Sequence, residues 1–168
     1  MPGPAQASYI DVNPAKEAAM KLLFSFLGAV ALCAVLTGSA QAAMADVKVG
    51  NHATPGRLMT PTASGEVMML PELPTGRLQV WSKTGTNPGF ATFRNAHTGD
   101  CLTARGTLDN PVVRAQDCNG GIGQQWRTDA DGMIYSRSLS FALEVNGYTV
   151  GLGERTGARN QRWIHKIV

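Results

Sequence analysis

The residue types that perform covalent or metal chemistry are present in this chain, but their spacing does not assemble them. His52, His97 and His165 stand too far apart in sequence to form a metal-ligand motif. Neither a Gly-x-Ser-x-Gly elbow nor a phosphate-cradling loop occurs. Asp129-Ala130-Asp131-Gly132 opens as a calcium loop would, yet the glutamate that closes such a loop is missing downstream, so the segment reads as a turn. Residues 43–168 hold ten acidic side chains, most of them beside turns, and no pair is marked for glycoside hydrolysis. The chain is therefore read as a non-enzyme, with no metal and no cofactor.

Glutamine and tryptophan are the residues that do recur. Trp81, Trp126 and Trp163 are the only three tryptophans, and each has glutamine two positions before it: Gln79-Val80-Trp81, Gln124-Gln125-Trp126 and Gln161-Arg162-Trp163. The tryptophans lie 45 and 37 residues apart, the period of a repeated supersecondary unit. Leu58, Leu102 and Leu143 precede them by 23, 24 and 20 residues, each behind a short shared element. One large apolar ring from each repeat suits a shared core, and a glutamine amide suits the backbone of a turn. The tryptophans are thus first of all structural.

The elements between these anchors read as short strands. Phe90 to Asn95 alternates apolar and polar residues; Val112 to Ala115 and Met133 to Tyr135 are similar runs. Asn119-Gly120-Gly121, Asp131-Gly132 and Asn146-Gly147 are turn signals. No segment after residue 43 sustains an apolar period of 3.6 residues for three turns, so little helix is expected. Short strands, frequent turns and threefold repetition point to a closed, all-β architecture.

Met20-Lys21, the apolar run Leu22 to Leu36 and Ala40-Gln41-Ala42 have the order of a secretory signal peptide over residues 20–42, with a helical apolar region. That run is too short to span a membrane, which takes roughly 20 apolar residues. Cleavage is expected after Ala42 or Ala45. Residues 1–19 read as a disordered leader or a misassigned start, and Cys33 belongs to the discarded signal. The location expected for residues 43–168, one domain in size, is secreted or periplasmic. Cys101 and Cys118 remain, and an even pair in an exported chain reads as a disulfide. The net charge of +3 is spread without a Lys/Arg run, which leaves little footprint for nucleic acid.

Taken together, Phe93-Arg94-Asn95, Thr98-Gly99, Cys101-Leu102, Cys118 and Gln124-Gln125-Trp126 resemble the ricin-B-type lectin family, β-trefoils with three Gln-x-Trp repeats. The third repeat is similar from Leu143 to Trp163, and the first is weaker, interrupted by Pro71 and Pro74. The resemblance implies a β-trefoil of three pseudo-repeats over residues 43–168, a disulfide within the middle repeat, and a glycan or glycoconjugate as partner.

It also implies a pocket built from an acidic residue after the anchoring leucine, an aromatic platform, and Asn-Gln entering the Gln-x-Trp. Glu144, Asn160 and Gln161 supply the polar members in the third repeat, with Tyr148 as the nearby aromatic. Leu152 or Gly153 falls at the usual platform position and cannot stack. Thr103 in the second repeat and Met59 in the first take the acidic position, so no pocket is expected there. Arg57-Leu58-Met59-Thr60 through Ser64-Gly65-Glu66 to Trp81 is similar to the lectin-like A subunits of cytolethal distending toxins. That second likeness implies a role in assembly with other toxin subunits.

Overall fold

Runs of four to eight residues bounded by turn-forming glycines cannot make helices of useful length, and they pair instead. The computed structural model describes residues 44–86 and 88–168; the expected leader and signal peptide lie outside the described residues. Twelve strands are present there, with three short 3-10 turns and no α-helix. They are β1 (Met44–Asn51), β2 (Arg57–Pro61), β3 (Val67–Pro71), β4 (Val80–Gly85), β5 (Ala91–Asn95) and β6 (Cys101–Gly106). The remainder are β7 (Pro111–Gln116), β8 (Trp126–Thr128), β9 (Ile134–Ser136), β10 (Ala142–Asn146), β11 (Thr149–Gly153) and β12 (Trp163–Ile167).

Six strands close a barrel. β12 pairs β1, β1 pairs β4, β4 pairs β5, β5 pairs β8 and β8 pairs β9, all antiparallel. A bridge between Met133 and Arg162 joins the last gap. The other six form the hairpins β2–β3, β6–β7 and β10–β11, one per repeat. This is the β-trefoil. Trp81 and Trp126 are fully buried and Trp163 nearly so, among Val47, Val49, Phe93, Ile134 and their neighbours in one core cluster. A Cys101–Cys118 disulfide staples the middle repeat. It closes a 17-residue separation, worth about 3 kcal/mol in the chain-entropy picture.

Each tryptophan is also tied by its indole N–H. Trp81 donates to the carbonyl of Met59 at 2.9 Å, Trp126 to Leu102 at 2.8 Å and Trp163 to Leu143 at 2.9 Å. In the first repeat the anchor is therefore Met59, one residue beyond the expected Leu58. Met59, Leu102 and Leu143 all lie in the core cluster, whereas Leu58, though buried, does not. The shift corrects the residue aligned with Glu144: it is Thr60 rather than Met59.

Candidate functional site

The glutamines of the repeated motif end the three 3-10 turns Arg77–Gln79, Ile122–Gln124 and Arg159–Gln161, and all are buried. Their side chains do the same work three times. Each Oε1 accepts from a backbone N–H a few residues upstream: Leu73 for Gln79, Asn119 and Gly120 for Gln124, Thr156 and Gly157 for Gln161. Each Nε2 donates to a carbonyl, of Pro71, Asp117 and Glu154 respectively. A buried amide with both ends satisfied fixes the turn that delivers the tryptophan.

The second Nε2 hydrogen distinguishes the repeats. Gln79 donates it to the Thr60 hydroxyl at 3.1 Å, and Gln124 to the Thr103 hydroxyl at 3.2 Å. Both threonines are buried, and each also donates to a carbonyl of its own strand. Gln161 instead donates to Glu144 Oε2 at 3.0 Å. Glu144 is only half-buried, so this position carries a carboxylate that reaches solvent in one repeat of the three.

The β10–β11 hairpin makes room for it. Glu144 stands opposite Gly151, and a side chain at Gly153 would collide with the carboxylate itself. The bare position thus belongs to the glutamate rather than to a platform. Asn146 Nδ2 donates to Glu144 Oε1 at 3.4 Å. Asn160 lies alongside, half-buried, its Nδ2 donating to the Val145 carbonyl at 3.2 Å. Glu144, Asn160 and Gln161 therefore form one cluster on β10.

Tyr148 is not part of it. The hairpin turn carries Tyr148 to the first repeat, where its carbonyl accepts from the Met69 N–H. The Arg57 guanidinium covers its ring, 4.0 Å from the centroid. An aromatic residue that sequence reasoning missed is better placed. Tyr135 pairs with Ala142, which pairs with Gly153, so Tyr135, Ala142 and Glu144 share a face of the sheet. The Arg155 guanidinium lies 4.1 Å from the Tyr135 centroid. Only the strand register brings Tyr135 here; nothing in its local sequence marks it. Asn146, read from sequence only as a turn residue, and Gly153, read only as a platform position that cannot stack, also belong to the cluster.

The ensemble suits a polyhydroxyl ligand better than a reaction. A carboxylate and an amide accept and donate to neighbouring hydroxyls, and an aromatic edge covers an apolar face. Among the described residues no group of three or more His, Cys, Asp or Glu side chains could hold a metal ion. Nor is any described helix long and apolar enough to cross a membrane.

Comparison with known proteins agrees with the fold. The ricin-type beta-trefoil lectin domain family matches residues 89–167, and no curated protein matches the chain. The Polyporus squamosus lectin, bound to the human-type influenza-binding epitope Neu5Aca2-6Galb1-4GlcNAc, superposes with a TM-score of 0.67 at 16% identity. That superposition covers 73% of this chain and 49% of the lectin. ThreeFoil, a designed 3-fold symmetric protein, gives 0.63 at 23% identity, covering 71% and 96%. The Haemophilus ducreyi cytolethal distending toxin gives 0.57 at 21%, covering 70% and 80%. This chain spans only 47% of the matched PSL1a chain and 49% of the Polyporus squamosus lectin, about half the length of each. At such identities the superpositions show a common fold and nothing of the ligand. Residues 89–167 thus match the ricin-type beta-trefoil lectin domain family, and the whole described domain has the β-trefoil fold of the superposed proteins.

Proposed function

We propose that this chain is an exported glycan-binding module whose recognition site is the Glu144 cluster of the third repeat. One observation carries the reading. Where two repeats close the glutamine's hydrogen bonding with a buried threonine, the third uses a half-exposed carboxylate held by Gln161 and Asn146. At a position where a threonine suffices twice, the third repeat thus presents acceptor oxygens that reach solvent and can meet a ligand's hydroxyls. Glu144 would accept from two adjacent sugar hydroxyls, Asn160 would bond a third, and Tyr135 would flank the ring. The matched Polyporus squamosus lectin, itself bound to an oligosaccharide, supports the ligand class.

Glu144→Ala and Asn160→Ala, tested on a glycan array and then by titration, are expected to weaken binding by about 10- to 100-fold each. That is the span of hydrogen bonds involving charged groups. Undiminished binding in both variants would refute the site. A second reading, a cell-binding or scaffold subunit of a multi-subunit toxin, is supported by the match covering 80% of the Haemophilus ducreyi toxin chain. It requires co-purification with a nuclease subunit encoded nearby, and an isolated gene would remove it.

A further inference from the structure

The surface beside Glu144 continues past the residues of its cluster. On the outer face of the β10–β11 hairpin, Ala142 pairs with Gly153, Glu144 with Gly151 and Asn146 with Thr149. Two of the three β11 positions on that face carry no side chain. The Glu144 carboxylate fills the space over Gly153, whereas a Cβ added at Gly151 would meet no atom within 4 Å. A glycine inside a strand weakens it, and commonly marks a bulge, a close backbone approach or a ligand. Gly151 holds regular register with Glu144, so there is no bulge, and no backbone comes near it. Its own backbone is not in the left-handed region that would require glycine. A ligand is the remaining one of these reasons, and the space over Gly151 is open to it.

That space leads into a crevice between β11 and β7. Its volume is 200 Å³, and its walls include Gly151, Thr149, Pro111, Val112, Arg114 and Glu66. β7 ends the strand order and packs against β11 without pairing to it, which leaves the gap. The walls reach solvent: Thr149 and Glu66 are exposed, and Pro111, Val112 and Gly151 are half-buried. Val113 and Ala115 belong to the core, so Val112 and Arg114 face outward. Arg114 meets Glu66 at 3.2 Å with the two side chains 39% and 52% exposed, so the guanidinium keeps N–H groups to donate. We propose that the third-repeat site has two halves and takes a glycan of at least two residues. One residue sits at Glu144 and Asn160. The next crosses the bare Gly151, lays its apolar face on Pro111 and Val112, and bonds its hydroxyls to Thr149 and Arg114. Directly opposed residues such as Glu144 and Gly151 lie about 4.5–5.5 Å apart, so successive sugars of one chain reach both halves. The crevice is below the roughly 300 Å³ at which drug-sized pockets begin, which suits one sugar residue. Gly151 then sets specificity for length, because a side chain there would stand between the halves. The inference rests on the glycan-binding reading of Glu144.

The test is an amide-resolved NMR titration of the full chain with the methyl glycosides of glucose, galactose and N-acetylglucosamine. Disaccharides ending in the same sugars follow: cellobiose, maltose, lactose, melibiose and chitobiose. A monosaccharide that shifts the amides of Glu144 and Asn160 is expected to leave those of Val112 and Arg114 in place. A disaccharide ending in that sugar should shift both sets and bind about tenfold more tightly, the yield of one or two further hydrogen bonds. Gly151→Leu should abolish the gain and keep the monosaccharide's affinity, and Gly151→Ala should lose part of the gain. Both variants should melt no lower than the parent, because the space they enter is empty. Disaccharides that shift only Glu144 and Asn160, with no gain in affinity, would overturn the second half and leave the Glu144 reading standing. So would the full gain persisting in Gly151→Leu. Loss of monosaccharide binding in that variant, or a melting temperature several degrees lower, would make Gly151 structural and overturn the proposal as well. No shift at Glu144 and Asn160 with any probe would remove the glycan reading itself, and the two-part site with it.

Discussion

Gln161, buried, and Glu144, half-buried, separate structure from function at the residue scale. Gln161 belongs to the fold, since its amide is consumed by Glu154, Thr156, Gly157 and Glu144, and its replacement would report on folding. Glu144 is the partner that can be spared. His165 is a different kind of burden. It sits on β12 against Phe93, with ring centroids 5.8 Å apart, and its buried Nε2 has no partner. Burial, aided by the positive charge of Lys83, pushes its pKa down from 6.5 to about 4. The unfolded chain therefore binds this proton first as the pH falls. Stability is whole above pH 6.5, is lost as the pH drops toward 4, and changes no further below that on this account. Discounted for partial exposure, the loss is on the order of 1–2 kcal/mol. Urea unfolding at pH 7 and pH 5 should show it in the parent and not in His165→Leu. Equal pH dependence in the two would show that His165 is not its source.

The β10–β11 hairpin is the element on which the site depends, and Gly153 is its testable part. Gly153 has no left-handed backbone, and the nearest atoms a side chain there would meet are those of the Glu144 carboxylate. Gly153→Ala should cost about 1–3 kcal/mol by overpacking, and most of that cost should vanish in a Glu144→Ala background. Full cost in both backgrounds would place the strain elsewhere. The hairpin also shows where the sequence stops being legible. Glu144, Asn160 and Gln161 follow from motif spacing, and they do come together. Tyr148 is close in sequence but is carried off by the hairpin turn, while Tyr135 arrives from another strand by register alone. The first repeat slipped for a related reason. Leu58, Met59, Thr60 and Pro61 are all buried, so burial on both faces hides which apolar residue meets the tryptophan.

For the whole molecule, the threefold repeat was legible because one large ring and one amide per repeat are the minimum that a trefoil core requires. Closure was expected from the same pattern, but which strands seal the barrel was not legible, because the seal depends on pairing between the two ends of the domain. Val47 to Asn51 of β1 pair with Trp163 to Ile167 of β12, and β1 also pairs with β4 from Met44 to Lys48. That double pairing bears on the two expected cleavage points. A cut after Ala42 leaves Met44 and Ala45 to pair with Thr84 and Lys83; a cut after Ala45 removes both pairs and takes away a residue packed against the core. On the proposed export, the mature protein should therefore begin at Ala43, as read from its intact mass. A version starting at Asp46 should unfold about 1 kcal/mol more easily, the worth of one or two strand hydrogen bonds and a partly buried methyl. An exported chain beginning at Asp46 with undiminished stability would show that the barrel is sealed without the first two residues of β1.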